Sequence, residues 1–574
     1  MGSYIETLEE LERSNLICLA LLLLFCFLFF GLPLLYGVPS GFDMITDIRF
    51  ATALRDGLSS GHLFPGWAND NFGFGSVGIR FYPPIAMYTL AFADMVVGDW
   101  FGALWLNLLF WMVLGSAGMY FFVKEWGGPL QGLLAGVTYA IVPQHLNEIF
   151  QFFLYAEFAA WGITPFCFLF VTRICRNGTW KDVVLFSISY SLLILTHIPT
   201  TIIISFCLPV YVLIVLDWRN FKPIAVRLAG AIGLTLAATS FRLVTLAGEY
   251  NLLAHNNEKY ANGFFEYAEW LFPNVLAIRN HFLYVLTSWL FDLSIVMTVC
   301  LTIPAIIWLA KTYDTKSESI WRIQAAAVAT TWFAFFMLSR PSQFIWDRLA
   351  FLQKIQFPWR WLSVLAMCAV LAFSLAVPRL LAVFKNRERF VVYPALALIV
   401  TIILFNITQI IIPSAPIPKA EFVKVEKKIA EEPMFEGWWP IWAKYEAFDN
   451  AERVTSGDRS ITITKWESEV REFSVAKGDS MSLRIATFYY PYWKATLNGQ
   501  PAEVSRDENG VITVPVQAET TKVRLYFEEP VINRLASYVS LTAWILLLFV
   551  IGAGLVEIGR TGRTRNTLST TGPA

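Results

Sequence analysis

Apolar stretches long enough to cross a bilayer recur along most of this chain, and no other feature limits its fold as strongly. They fall near 16–36, 101–123, 128–142, 152–172, 182–196, 200–216, 224–246, 287–310, 321–338, 361–378, 391–412 and 534–556. A helix needs about 20 residues to cross ~30 Å of hydrocarbon, where only internal hydrogen bonds can satisfy the backbone. The pattern predicts a polytopic α-helical membrane protein of about twelve spans, with 128–142 and 182–196 the shortest. Composition agrees, with 56% hydrophobic and 15% charged residues, against roughly 25% charged in a soluble domain. Lys plus Arg and Asp plus Glu are equal at 44 each, so no global field favours nucleic acid or another polyanion.

The stretch from Leu16 to Tyr36 could serve as a signal peptide or as a first span. Its acidic flank (Glu6, Glu9, Glu10, Glu12) and the lack of a small-residue cleavage site favour an uncleaved span. Cys18, Cys26, Cys167, Cys175, Cys207, Cys300 and Cys368 all lie in apolar stretches without a CxxC pair. That excludes a disulfide framework and a zinc motif.

Lys and Arg placement orients the spans. Arg173, Arg176 and Lys181 share one side with Arg219, Lys222 and Arg227, with Lys311, Lys316 and Arg322, with Arg379, Lys385, Arg387 and Arg389, and with Arg560, Arg563 and Arg565. The positive-inside rule makes that side cytoplasmic and sends both termini there. The opposite side receives the 37–100 loop, the 413–533 segment and all five histidines, His62, His145, His197, His255 and His281. Within no single loop do these histidines show metal-ligand spacing.

Between 413 and 533 the hydrophobic period changes to two. "SITITKW", "EVREFSVA", "SLRIATFYY", "GVITVPV" and "KVRLYFEE" alternate, and Asn498-Gly499 and Asn509-Gly510 are type I′ hairpin signals. About 120 residues can close a small core, which predicts an antiparallel β-sandwich before the last span and its tail, 534–574. The "FEGWWPIW" run at 435–442 reads as an aromatic belt at the membrane surface in preference to a sugar-stacking platform.

The 37–100 loop holds the residues with most chemical promise. Asp43 and Asp47 are four apart, on one face of a predicted helix ending at Gly57. Two carboxylates so placed repel unless a cation, a metal or a substrate hydroxyl lies between them. The competing reading is an Asp helix cap plus an Asp47–Arg49 surface pair. "NDNFGFGSVGIR" lacks the Gly-Lys-Ser/Thr of a phosphate-binding loop and reads as a turn returning Arg80 and Tyr82 to the membrane surface. "YPPIAMYTLAFADMVV" (82–97) reads as an interfacial or partly re-entrant helix, because a full span there would invert every later loop.

Taken in order, Asp43, "FPGW", the Gly-rich turn and "FYPP" resemble the polyprenyl-phosphate-sugar-dependent glycosyltransferases of the GT-C superfamily. The chain is more similar still to the YfhO-like and 6-pyruvoyl-tetrahydropterin-synthase-related bacterial membrane proteins. "YAEFAAWGITPF" (155–166), "LLILTHIPTT" (192–201), "KIQFPWRWL" (354–362) and "FYYPYWKATLNGQ" (488–500) extend the likeness over nearly the whole chain. The family's first-loop motif carries His before the Asp and again four residues after it. Phe42 and Asp47 occupy those places here.

This resemblance implies a GT-C-like bundle (1–412) and an inverting transfer of sugar from a polyprenyl phosphate to an extracytoplasmic glycan, lipid or protein. It assigns Asp43 as catalytic base with Asp47 beside it. Arg360 and Arg340 are the candidates for the leaving phosphate. Arg49, Arg80, Tyr82, His145, Glu157 and His197 are candidates for substrate contact, and Mg or Mn is a candidate cofactor. A lipid-linked-sugar transporter would show inverted repeats and broken midplane helices, and no convincing repeat is found. An envelope assembly scaffold would leave Asp43 dispensable.

Overall fold

Every apolar stretch read from the sequence is helical in the computed structural model, which describes residues 14–41, 43–176, 178–256, 267–273, 282–313, 318–383, 389–411 and 416–568. Phe42, His281, Lys316, Lys385 and Arg387 lie outside the described residues. The helices are α1 (Asn15–Leu34), α2 (Met44–Ser59), α3 (Pro84–Val97), α4 (Trp100–Gly127), α5 (Pro129–Ala140), α6 (Tyr155–Arg176), α7 (Trp180–Ile194) and α8 (Ile198–Val215). They continue with α9 (Phe221–Glu249), α10 (Phe282–Cys300), α11 (Ile303–Lys311), α12 (Ser319–Leu338), α13 (Leu362–Val383), α14 (Arg389–Ile411), α15 (Val423–Glu431) and α16 (Val531–Leu568).

Among the described residues nine helices are long and apolar enough to span a membrane. α5 and α7, at 12 and 15 residues, fall short of that length. Burial sorts the bundle: α6 and α13 are sealed at its centre, whereas α14 and α16 are mostly exposed. The exposed face of α16 carries Leu541, Ile545, Leu548 and Phe549, an apolar surface that suits lipid and not water. Local signals set the helix starts. Asp99 accepts a bond from the Gly102 amide at 2.8 Å to cap α4, and Thr179 with Asp182 forms a capping box for α7.

Two antiparallel sheets stack as the expected sandwich. The first has the order β3 (Val454–Thr455), β6 (Met481–Phe488), β10 (Val511–Val516), β9 (Ser505–Arg506). The second has the order β4 (Ile461–Trp466), β5 (Val470–Val475), β11 (Thr521–Phe527), β7 (Trp493–Leu497), β8 (Gln500–Ala502). A separate short ribbon pairs β1 (Val38–Pro39) with β2 (Pro416–Ile417). Asn498 and Gly499 both take positive φ between β7 and β8, as a type I′ hairpin requires. At the second expected hairpin only Gly510 does. There Asp507 accepts bonds from the Asn509 and Val511 amides and sets a longer turn.

The first loop is built into this sandwich. Trp67, Phe74, Val77 and Phe81 share its core with Phe488, Trp493, Val511 and Leu525. Its Gly-rich turn is a compact left-handed bend, with Asn71, Phe72, Gly73 and Gly75 all at positive φ. A β-carbon on Gly75 would strike the Trp67 indole. Much of the "FEGWWPIW" run packs inward, although Phe435 is exposed, and this departs from the belt reading. Trp439 is buried, and Trp438 packs edge-on against Phe50 and Tyr82 and stacks on His255. Its partners come from the first loop and from residue 255, contacts that the local sequence cannot announce.

Candidate active site

The chain leaves α1 through β1 and turns into α2 at Gly41. A β-carbon at Gly41 would meet the Phe152 carbonyl at 2.5 Å, so glycine is what lets the two backbones touch. On the other side of that contact, 147–152 forms a π-helical turn that ends at Phe153, with φ +54°. The Leu154 amide closes back on the Glu148 carbonyl at 2.8 Å, and α6 starts at once. π-Turns recur at functional sites because they re-aim side chains. This one brings Glu148 and Glu157 toward the start of α2.

Asp43 occupies the cap position of α2 but its carboxylate bonds to no amide of the first turn, which removes the capping alternative. The Asp47 amide donates to the Asp43 carbonyl at 2.8 Å, one helical turn along, so both carboxylates share a face. Asp47 is fully buried. Tyr82 donates its hydroxyl to Asp47 Oδ1 at 3.2 Å, while Oδ2 has no partner among the described residues. A buried carboxyl oxygen left unbonded is unusual enough to need a cause.

Arg360 enters from the short 358–361 turn before α13. Its Nη1 donates to the Ile355 carbonyl at 2.8 Å, and its Nε lies 3.0 Å from Glu157 Oε2. The positive charge of Arg360 also acts on Asp43, Glu148 and His197, so one guanidinium stands among three or more carboxyl groups. Burial pushes Asp43 up to about 6, against the pull of Arg360. Asp47 is held well above the ordinary carboxylate range by burial first and by Asp43's charge second, and the Tyr82 hydroxyl opposes both. Two neighbouring carboxyls with separated affinities can hold different protonation states at neutral pH. Asp47 is the more strongly raised of the two, so Asp43 gives up its proton first.

Of the residues singled out in the sequence, the structure brings together Asp43, Asp47, Tyr82, Glu157, His197 and Arg360. His197 caps α8, with Nδ1 2.7 Å from the Thr200 hydroxyl. Four others lie apart. Arg49 turns away and donates to the Ile429 and Glu432 carbonyls, fastening α2 to α15. Arg80 is locked between Glu249 and Glu529. His145 is packed edge-on between Tyr139 and Trp161, and burial lowers it to about 3, hence neutral. Arg340 is exposed and donates to the Phe272 and Pro273 carbonyls.

Glu148 was missed. It accepts from Gln144 at 2.8 Å and from the Trp161 indole at 3.0 Å. Gln144, Asn147, Glu148 and Gln151 sit at i, i+3, i+4 and i+7. A polar stripe of that period beside an apolar span was the available signal. Among the described residues, no three His, Cys, Asp or Glu side chains converge as a metal site. His62 pairs with Glu469 and His255 stacks on Trp438, each away from the others.

A family model described as 6-pyruvoyl-tetrahydropterin synthase related domain, membrane protein, matches residues 79–414, more than half of the chain. No curated protein matches it. Among solved structures, ArnT from Cupriavidus metallidurans bound to undecaprenyl phosphate is 14% identical with a TM-score of 0.34, over 63% of this chain and 76% of that one. The mycobacterial arabinofuranosyltransferase AftD is 15% identical with a TM-score of 0.43, over 70% of this chain and 27% of its own length. The Archaeoglobus fulgidus oligosaccharyltransferase is 14% identical with a TM-score of 0.40, over 76% of this chain and 57% of its own.

Proposed function

The chain belongs to the 6-pyruvoyl-tetrahydropterin synthase related family of membrane proteins, and on that premise we propose that it is an inverting membrane glycosyltransferase. Its donor is a sugar on a polyprenyl phosphate, and its acceptor is an extracytoplasmic hydroxyl of a glycan, lipid or protein. The observation that carries this reading is the convergence of the recessed Asp43–Asp47 pair on Arg360, contributed by segments more than 300 residues apart.

Asp43 takes the proton of the acceptor hydroxyl as that oxygen bonds to the anomeric carbon. The bond from that carbon to the phosphate oxygen breaks on the opposite face, and its electron pair leaves on the polyprenyl phosphate. Asp47, held high by burial, has Oδ2 without a protein partner and turned to a substrate oxygen. Arg360 meets the charge that grows on the leaving phosphate. The site sits on the outer face of a cell-envelope membrane, where lipid-borne sugars replace nucleotide sugars as donors, and both termini are cytoplasmic.

The test compares envelope glycans, by mass spectrometry, in cells carrying wild-type protein, Asp43→Asn or none. Asparagine keeps the shape and removes the base, at an expected cost of about 10²–10⁴-fold in rate. Cells with Asp43→Asn at wild-type abundance in the membrane should match cells without the protein. Wild-type glycans in those cells would overturn the assignment.

A further inference from the structure

We propose that a groove between α3, α9 and α16 holds one phosphorylated membrane lipid, with its phosphate on Arg242. The groove encloses about 580 Å³, within the ~300–1,000 Å³ usual for ligand pockets. Phe64, Tyr88, Phe92, Phe241, Leu541 and Trp544 make most of its wall apolar, and Arg242 lies in it with Arg80, Glu529 and Asn533. Phe92 and Leu541 are themselves half exposed on the bundle's outer surface, so a lipid chain can enter sideways from the bilayer.

Arg242 is the group that asks for an anion. It is 1% exposed. Its Nη1 donates to the Arg80 carbonyl, and its Nε and Nη2 have no partner among the described residues. The nearby carboxylates are already engaged. Arg80 donates to Glu249 through Nε at 2.9 Å and Nη2 at 2.8 Å, and to Glu529 through both terminal nitrogens. Tyr490 and Asn533 also donate to Glu249. Glu249 attracts Arg242 through space without bonding to it.

A buried guanidinium with two unused donors is costly unless an anion meets them. The Nε–Nη2 edge presents its two N–H groups in parallel, the fork that phosphate oxygens accept. An apolar wall that ends in such a fork matches a lipid with a phosphate head. None of Asp43, Asp47, Tyr82, Glu157 or Arg360 lines the groove, so this site stands whether or not the chain transfers sugar.

Purified full-length protein, delipidated in a neutral detergent, is offered dioctanoyl phosphatidylglycerol, farnesyl phosphate or dioctanoylglycerol, and bound lipid is counted by native mass spectrometry. Wild type should retain one phosphorylated lipid and release dioctanoylglycerol. Preference for phosphatidylglycerol identifies bulk phospholipid as the source, and preference for farnesyl phosphate a polyprenyl carrier. Arg242→Gln should weaken retention at least about tenfold, the change carried by a lost charge-assisted hydrogen bond. Leu541→Trp, at an exposed position, should fill the groove and weaken retention while Arg242 stays intact, so it decides the matter if Arg242→Gln fails to fold. Equal retention of dioctanoylglycerol, no saturable phosphorylated lipid, or wild-type retention in folded Leu541→Trp would overturn the proposal.

Discussion

Nε of Arg360 lies 3.0 Å from Oε2 of Glu157, with the two side chains 9% and 2% exposed. The pair joins the turn before α13 to the first turn of α6, and the bond from Nη1 to the Ile355 carbonyl fixes the plane of the guanidinium. Nothing among the described residues bonds to Nη2, which leaves that nitrogen for a substrate oxygen. Lysine carries the charge but cannot serve a carbonyl, a carboxylate and a phosphate from one rigid fork. Arg360→Lys should reach the membrane in normal amount and lower the glycan product at least about tenfold, again the value of one charge-assisted bond. A normal product would leave Arg360 as a structural anchor.

Asp43 gives the reaction a signature in pH. Its folded-state value is raised to about 6, and a base works only when deprotonated. The rate should therefore be flat above that pH and fall about tenfold per unit below it. An ordinary carboxylate would place the limb near 4. Asp47→Asn leaves the proposed base in place, so it should keep the limb and change the rate by less than about tenfold. Loss of activity in Asp47→Asn with Asp43 intact would move the base one turn along α2.

Arg80 should matter for stability and not for transfer. Removing one member of a buried charge network leaves its partners uncompensated, at a cost of about 3–5 kcal/mol. Arg80→Leu should unfold at clearly lower temperature or denaturant, because Glu249 loses its cation. Arg80→Leu with Glu249→Leu should recover part of that loss, since neither charge is then stranded. A double variant no more stable than the single one would show that the network is not what holds α9 to the β sheets.

The two kinds of side chain, legible and illegible, differ in where their partners come from. The spans were legible because each carries its own apolar length. The sandwich was legible because alternation is local, as in β5 and β11, where every second residue turns inward. Asp43 and Asp47 were legible because helical spacing alone puts them on one face. Arg80 and Arg49 were read as substrate contacts, yet their partners stand 169 to 449 residues away in sequence, where no periodic pattern reaches. The raised Asp43 was out of sight for the same reason. Its setting depends on Gly41 meeting Phe152 and on Arg360 arriving from the far end of the bundle.

The orientation of the whole assembly comes down to one labelling experiment. In the span pattern read from the sequence, the Lys/Arg-rich loops fall on the side opposite the β strands. Ser480 sits exposed in the connection between β5 and β6. The seven natural cysteines give little background, as six are buried and Cys300 is half-buried. Ser480→Cys should react in intact cells with a maleimide that cannot cross the membrane, and lysis should add nothing. Since Trp67 and Phe74 of the first loop share a core with the strands, the label also reports the side on which Asp43 works. Reaction only after lysis would put that carboxylate in the cytoplasm, facing nucleotide sugars, and would remove the reason for a polyprenyl donor.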